Sequence, residues 1–110
     1  MPDQQGPNPM ETYVIFDVDV YDPAQYQEFM SSVKPALEAA GGKYLVRGGI
    51  HNVHEGDWQP RRIVLLKFPS NTEWDSFYHG PVYQGLKAIR DRCSSARLVS
   101  VEGTGSDIDR

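Results

Sequence analysis

The sequence is poor in cysteine and has no long apolar segment. Its one cysteine, Cys93, cannot form a disulfide within the chain and cannot build a cysteine-rich zinc site. No apolar run approaches the roughly 20 residues of a membrane-spanning helix, and residues 1–10 lack the basic and apolar regions of a secretory signal. We therefore expect a cytoplasmic protein that has no membrane partner.

Clustered basic residues are also scarce. The 110 residues include 11 basic and 15 acidic side chains, which give a net charge of −4, and the densest basic pair is Arg61-Arg62. Nucleic acids are bound by dense patches of Lys and Arg, so we expect no nucleic-acid partner. Hydrophobic residues make up 39% of the chain, which is typical of a folded protein, and the length fits one domain.

The hydrophobic pattern predicts four strands. Apolar side chains alternate regularly along residues 12–20, as in a strand with one covered face, and three shorter runs rich in Val, Leu and Ile follow. The predicted strands lie at residues 12–20, 43–47, 61–68 and 97–102.

Two helical regions lie between these strands. The first begins at the N-cap Asp22, which precedes a proline, and ends at Gly41-Gly42. The second begins at the N-cap Ser70 and is interrupted at Gly80-Pro81, because a proline disfavours helical geometry in the residue before it. The order β-α-β-β-α-β predicts an α+β, ferredoxin-like protomer in which the helices cover one face of a four-stranded antiparallel sheet.

The predicted domain spans residues 11–104. Residues 1–10 are rich in Pro and Gln and show no core-facing period, which indicates a disordered N-terminal arm. Residues 105–110 form a predicted polar C-terminal tail.

Strand alternation divides the predicted sheet into an apolar face and a mixed face. The face under the helices takes Val14, Phe16, Val18, Val20, Tyr44, Val46, Val64, Leu66, Phe68, Val99 and Val101. The mixed face takes Tyr13, Ile15, Leu45, Ile63, Leu65 and Leu98 beside Asp17, Asp19, Arg47, Lys67, Ser100 and Glu102. Monomers rarely leave six large apolar side chains of one face in water, so we expect a homodimer that packs mixed face against mixed face.

Several short motifs occur in a characteristic order and spacing. They are Gly41-Gly42-Lys43-Tyr44-Leu45-Val46-Arg47-Gly48-Gly49, Glu55-Gly56 with Trp58, Phe68-Pro69-Ser70, Tyr83-Gln84 and Glu102-Gly103. From about Thr12 to Gly103 the chain resembles the domain-of-unknown-function-1330 family of the dimeric α/β-barrel superfamily. The resemblance implies a ferredoxin-like protomer, a homodimer whose two sheets enclose a cavity, and no established reaction. Two positions depart from the family pattern: Lys67 stands where the family usually has an acidic residue, and Gly80-Pro81-Val82 replaces the more usual Ser-Pro-Glu.

The polar side chains of the mixed face are the candidate ligand-binding residues. Asp17, Arg47 and Lys67, with Tyr13 beside them, could hold a small carboxylate or carbonyl compound in the cavity. Alternatively these charges only pair with one another, which would satisfy their burial without a ligand.

Three further candidates lie outside the predicted strands. His51 belongs to an H-x-x-H-E cluster with His54 and Glu55, but turn residues follow it, so we expect an exposed loop and no metal. Tyr83 could close the cavity or pack at the helix break, and Arg90 could contact a ligand or brace a neighbouring loop. We expect no cofactor.

Three functional hypotheses remain open from the sequence. The first is a small-molecule-binding or structural homodimer, and the second is a cofactor-free enzyme of oxygenase or isomerase type, by analogy of fold alone. The third is an accessory module that binds another protein. An open, partly polar cavity favours the enzyme, a filled cavity favours the structural dimer, and an apolar patch left uncovered in the dimer favours the module.

Overall fold

The structure is a computed structural model, and the residues it describes are 10–105. The predicted arm and tail lie outside the described residues, except for Met10 and Gly105. The elements are β1 (Thr12–Val20), α1 (Pro23–Ala39), β2 (Lys43–Arg47), β3 (Ile63–Phe68), α2 (Asn71–His79), α3 (Pro81–Cys93) and β4 (Ser94–Glu102). Within residues 10–105, no helix combines the length and the apolar character needed to cross a membrane.

The four strands form one antiparallel sheet in the order β2-β3-β1-β4. This order and the β-α-β-β-α-α-β sequence of elements confirm the predicted ferredoxin-like α+β fold. The second helical region is two helices, because the backbone of Gly80 is extended between α2 and α3. β4 begins at Ser94 rather than Arg97, so it pairs with the whole of β1.

Local sequence signals set the helix ends. The side chain of Asp22 accepts a hydrogen bond from the Gln25 backbone N–H at 3.1 Å, and Pro23 occupies the first turn of α1. After α1 the chain turns at Gly41, whose φ of 96° lies in the left-handed region that glycine adopts readily. The hydroxyl of Ser70 caps α2 in the same way as Asp22 caps α1.

The hydrophobic core lies between the helices and one face of the sheet. β1 and β3 contribute alternate residues, and α1 packs its apolar stripe against them. Phe68 is fully buried, and its ring lies 5.4 Å from that of Trp74 and 5.5 Å from that of Phe77. The members from the strands and α1 are Val14, Phe16, Val18, Val64, Leu66, Phe68, Tyr26, Phe29, Met30, Val33 and Leu37.

The predicted face assignment of β4 was wrong by one residue. Phe16 pairs with Leu98, so Leu98 and Ala96 lie on the covered face and pack against the core. Val99 and Val101 are 60% and 52% exposed. β4 has too few apolar residues for its own alternation to decide its orientation, and the pairing with β1 fixes it.

The predicted face assignment at the end of β2 was also wrong. Tyr44 pairs with Leu66 as expected, but the register then shifts at a bulge, and Val46 rather than Leu45 pairs with Leu65. An extra residue in one strand reverses the faces of the residues that follow it. Val46 therefore joins the mixed face, and Arg47 leaves it for the covered side.

Candidate functional site on the open sheet face

The sheet face opposite the helices, here called the open face, carries an apolar belt across all four strands. Ile15 lies at its centre and pairs with Leu65 on β3 and Val99 on β4. Val46 on β2 extends the belt beyond Leu65. On β4, Val99 takes the place that the sequence analysis gives to Leu98, and Val46 joins the face on β2. The open face therefore stays as apolar as predicted, and the expectation that another surface covers it stands.

A polar network closes one end of this belt around Asp17. The carboxylate of Asp17 accepts hydrogen bonds from Trp58 Nε1 at 2.9 Å, the Arg61 backbone N–H at 2.9 Å and Arg97 Nη2 at 3.0 Å. Asp17 is 9% exposed, whereas the Arg97 side chain is 77% exposed. Asp17 therefore fixes the loop before β3 and the guanidinium of β4 to the same point of the sheet.

The environment of Asp17 favours its ionised form. Burial alone raises the pKa of this carboxyl, but the hydrogen bonds from Trp58, Arg61 and Arg97 and the charge of Arg97 outweigh burial. The net pKa lies below the ordinary value for aspartate. Asp17 is consequently a carboxylate that positions its neighbours rather than a proton donor at neutral pH.

The Asp17→Asn variant should test this network through pH. A carboxyl whose pKa is lowered by folding adds stability above its ordinary pKa of about 3.9 and loses it as the pH falls through the lower folded value. Asp17→Asn should therefore lower the melting temperature at pH 7, with a cost of about 1–3 kcal/mol. In thermal melts, the difference in melting temperature between Asp17→Asn and the unmodified protein should become smaller towards pH 3. A difference of the same size at pH 7 and pH 3 would contradict the network.

An open cavity of about 440 Å³ lies beside this network. Its walls are Ile15, Asp17, Trp58, Arg97, Leu98 and Val99. The volume falls within the range of small-molecule sites, which are mostly apolar with a few polar groups. Trp58 is 51% exposed, and one of the five N–H donors of Arg97 is engaged by Asp17. The cavity thus combines an aromatic surface and a cation that has unused donors.

The structure does not bring the predicted Asp17, Arg47 and Lys67 constellation together. Lys67 lies at the other end of the open face, where its Nζ forms an ion pair with Glu11 at 3.1 Å. Tyr13 pairs with Lys67 and also contacts Glu11, through a hydrogen bond of 3.4 Å. Arg47 lies on the covered side of the sheet because of the bulge in β2.

The remaining predicted site residues lie apart from the cavity. His51 is exposed on the loop between β2 and β3, and its Nε2 lies 2.9 Å from the carbonyl oxygen of Pro60. Tyr83 and Arg90 are both 3% exposed and face the core, where Arg90 Nη1 donates to the Tyr83 hydroxyl at 2.7 Å. Burial raises the pKa of Tyr83 to about 12, so this hydroxyl stays protonated. Tyr83 and Arg90 line an internal cavity of about 20 Å³, which has room for about one water molecule.

Two residues of the candidate site have weak sequence signals. Trp58 stands beside the Glu55-Gly56 motif on the loop before β3, and it anchors this loop through its hydrogen bond to Asp17. Arg97 opens a predicted strand and has no motif around it; only the register of β1 against β4, which pairs Asp17 with Arg97, identifies it. Within residues 10–105, no group of three or more His, Cys, Asp or Glu side chains is arranged to hold a metal ion.

Solved structures share the fold at low sequence identity. RPA0582, a protein of unknown function from Rhodopseudomonas palustris, is 16% identical with a TM-score of 0.67, covering 86% of this chain and 82% of its own. SnoaB, a cofactor-independent oxygenase from Streptomyces nogalater, is 10% identical to this chain, with a TM-score of 0.57. The superposition covers 92% of this chain and 99% of SnoaB. A conserved protein of unknown function from Bacteroides thetaiotaomicron, described as a possible oxidoreductase, is 12% identical to this chain, with a TM-score of 0.51. The superposition covers 87% of this chain and 99% of that protein. These similarities show the fold alone.

A family model gives a closer assignment. No curated protein matches the chain significantly. The model described as "Domain of unknown function (DUF1330)" matches residues 11–104, which is nearly the whole of the part that the structure describes. This match confirms the resemblance inferred from the motifs, and the chain belongs to the DUF1330 family.

Proposed function

We propose that the protein is a homodimer that binds a small organic molecule between two open faces. The ligand class is an aromatic or unsaturated compound that carries a carboxylate or carbonyl oxygen. The observation that carries this proposal is the wall of the open cavity, where Asp17 holds Trp58 and Arg97 side by side.

The dimer is supported by the apolar belt of the open face. Ile15, Leu65 and Val99 pair across the centre of the sheet, and Val99 is 60% exposed in the single chain. Burial of apolar surface contributes about 25 cal/mol per Å², so covering this belt with a second copy is favourable. A two-fold axis would place the same belt on both sides of the interface.

The ligand class is supported by the chemistry of the cavity wall. The indole N–H of Trp58 is already bonded to Asp17, so the exposed ring surface offers stacking rather than hydrogen bonding. The guanidinium of Arg97 is the group that binds carboxylate and carbonyl oxygens with good geometry. Ile15 and Val99 provide apolar contact for the rest of the molecule.

The enzyme hypothesis is supported by fold similarity to proteins such as SnoaB and by no particular residue of this chain. The internal cavity at Tyr83 and Arg90 is too small for an organic substrate. The open-face cavity has room for an organic substrate, so identifying its ligand class is the first step for either hypothesis.

Arg97→Gln should separate ligand binding from a structural role. Phenylacetate and acetophenone are suitable probes, measured by calorimetry and by quenching of Trp58 fluorescence in a Trp74→Phe background. Loss of a charge-assisted hydrogen bond should weaken phenylacetate binding about tenfold or more. The melting temperature should change little, because the Arg97 side chain is 77% exposed.

Arg92→Gln provides the matched control, because Arg92 is an exposed arginine on α3 with no described contact to the cavity. It removes the same charge and should leave phenylacetate binding unchanged. The proposal would be wrong if neither probe binds the unmodified protein, or if Arg97→Gln and Arg92→Gln weaken binding equally.

A further inference from the structure

A second cleft, here called the arginine cleft, lies on the helix-covered side of the sheet. It has a volume of about 420 Å³ and is bordered by Arg47 at the end of β2 and by Arg61 and Arg62 just before β3. The first turns of α1 form another wall with Pro23 and Tyr26. It is not the open-face cavity, whose walls include none of these five residues.

The arginine cleft concentrates positive charge in a protein of net charge −4. Asp19 is the one acidic residue on its described wall, against the three arginines. Among residues 10–105, none of Arg47, Arg61 and Arg62 forms an ion pair. The three arginines thus border one space, and none of them has the carboxylate partner that normally neutralises such a group.

Two of these arginines are held in place by other contacts. The guanidinium of Arg62 lies 5.5 Å from the centre of the Tyr26 ring, and its Nη2 donates to the Arg47 carbonyl at 3.4 Å. The guanidinium of Arg47 lies 4.6 Å from the centre of the Tyr44 ring. Ring stacking positions a guanidinium without using up its N–H donors.

Gly48 provides the space that Arg62 occupies. Its φ of 73° is in the left-handed region, and a side chain there would collide with the Arg62 guanidinium. The Nε of Arg62 is buried and has no hydrogen-bond partner. Because that atom is buried, a ligand in the cleft would meet the terminal N–H groups of Arg62 instead.

We propose that the arginine cleft is a second binding site, for a small organic molecule that bears a phosphate monoester. Three positive charges and one negative charge leave an excess of two, which matches a dianion better than a monocarboxylate. Planar guanidinium groups bind phosphate oxygens in pairs. Val18, Val20 and Met30 on the wall provide contact for an apolar body.

Calorimetry with phenyl phosphate, inorganic phosphate and benzoate tests this site. We expect phenyl phosphate to bind most tightly, because it alone combines a dianion with an apolar ring. Arg47→Gln should weaken its binding about tenfold or more, since it removes one charge-assisted contact from an exposed side chain. Arg61→Gln is the second variant and should act in the same direction if Arg47→Gln proves unstable.

A background variant and a control keep this test independent of the open-face proposal. Because an aromatic anion also fits the open-face cavity, the titrations are run in an Arg97→Gln background, in which that cavity has lost its cation. In this background Arg92→Gln, which removes an exposed arginine of α3, should leave phenyl phosphate binding unchanged, whereas Arg47→Gln should weaken it. The proposal is overturned if phenyl phosphate shows no saturable binding in this background at millimolar concentration, if benzoate binds as tightly there, or if Arg92→Gln weakens binding as much as Arg47→Gln.

Discussion

Replacing Leu65 with glutamate is expected to convert a dimer into a monomer. Leu65 lies on the open face beside Ile15 and Val46, at the centre of the apolar belt. In a dimer that packs these belts together, each glutamate would be buried without a partner, at a cost of several kcal/mol. Light scattering at micromolar concentration should then give the chain mass of 12.4 kDa. The monomer should stay folded, because the side chain of Leu65 points away from the core.

Val82→Glu is the matched control for this change. Val82 is an apolar residue that is 60% exposed, but it lies on α3 at the other side of the molecule. The same charge introduced there should leave the dimer intact. If Leu65→Glu remains dimeric, or if both variants dissociate, the open face is not the interface.

Phe68→Ala is expected to have the largest effect on the stability of the protomer. Phe68 is fully buried and packs against Trp74 and Phe77, so truncation would leave a cavity between β3 and α2. Such changes cost about 3–5 kcal/mol, which corresponds to a fall in melting temperature of more than about 12 °C for a domain of this size.

Lys67, the residue before Phe68, provides a control for the effect of Phe68→Ala on stability. Lys67 lies on the opposite face, and its ion pair with Glu11 is partly exposed, so Lys67→Ala should cost no more than about 1 kcal/mol. Thermal melts of the two variants therefore test the alternation of β3 directly. Equal losses of stability would mean that Phe68 and Lys67 do not lie on opposite faces.

The elements of the fold could be predicted from the sequence because their signals are local. The N-caps Asp22 and Ser70, the glycine turn after α1 and the break at Gly80 each act within a few residues. The alternation of β1 is long enough to determine which face is buried, and its residues lie where the pattern predicts.

The errors come from interactions between strands. The bulge at Leu45 reverses the faces of the last residues of β2, and nothing near Leu45 in the sequence marks it. The orientation of β4 depends on its pairing with β1, which joins residues as far apart as Asp17 and Arg97. Both errors bear on the candidate site, because Arg47 leaves the open face and Arg97, which the sequence analysis does not single out, takes a place on it.

The site could be predicted only in part for the same reason. Asp17 lies on the open face as the alternation of β1 requires, and its pairing with other charges was expected. Its partners are Arg97 from the last strand and Trp58 from an irregular loop, and no short sequence motif encodes either contact. A network that joins three distant segments becomes visible only when the sheet is assembled.

The most direct test of the open-face dimer is native mass spectrometry of the unmodified protein, supported by light scattering at micromolar concentration. If two open faces pack together, the main species should have twice the 12.4 kDa chain mass, and Leu65→Glu should shift it to the chain mass. A main species of 12.4 kDa for the unmodified protein at these concentrations would contradict the dimer and the cavity proposed between its sheets.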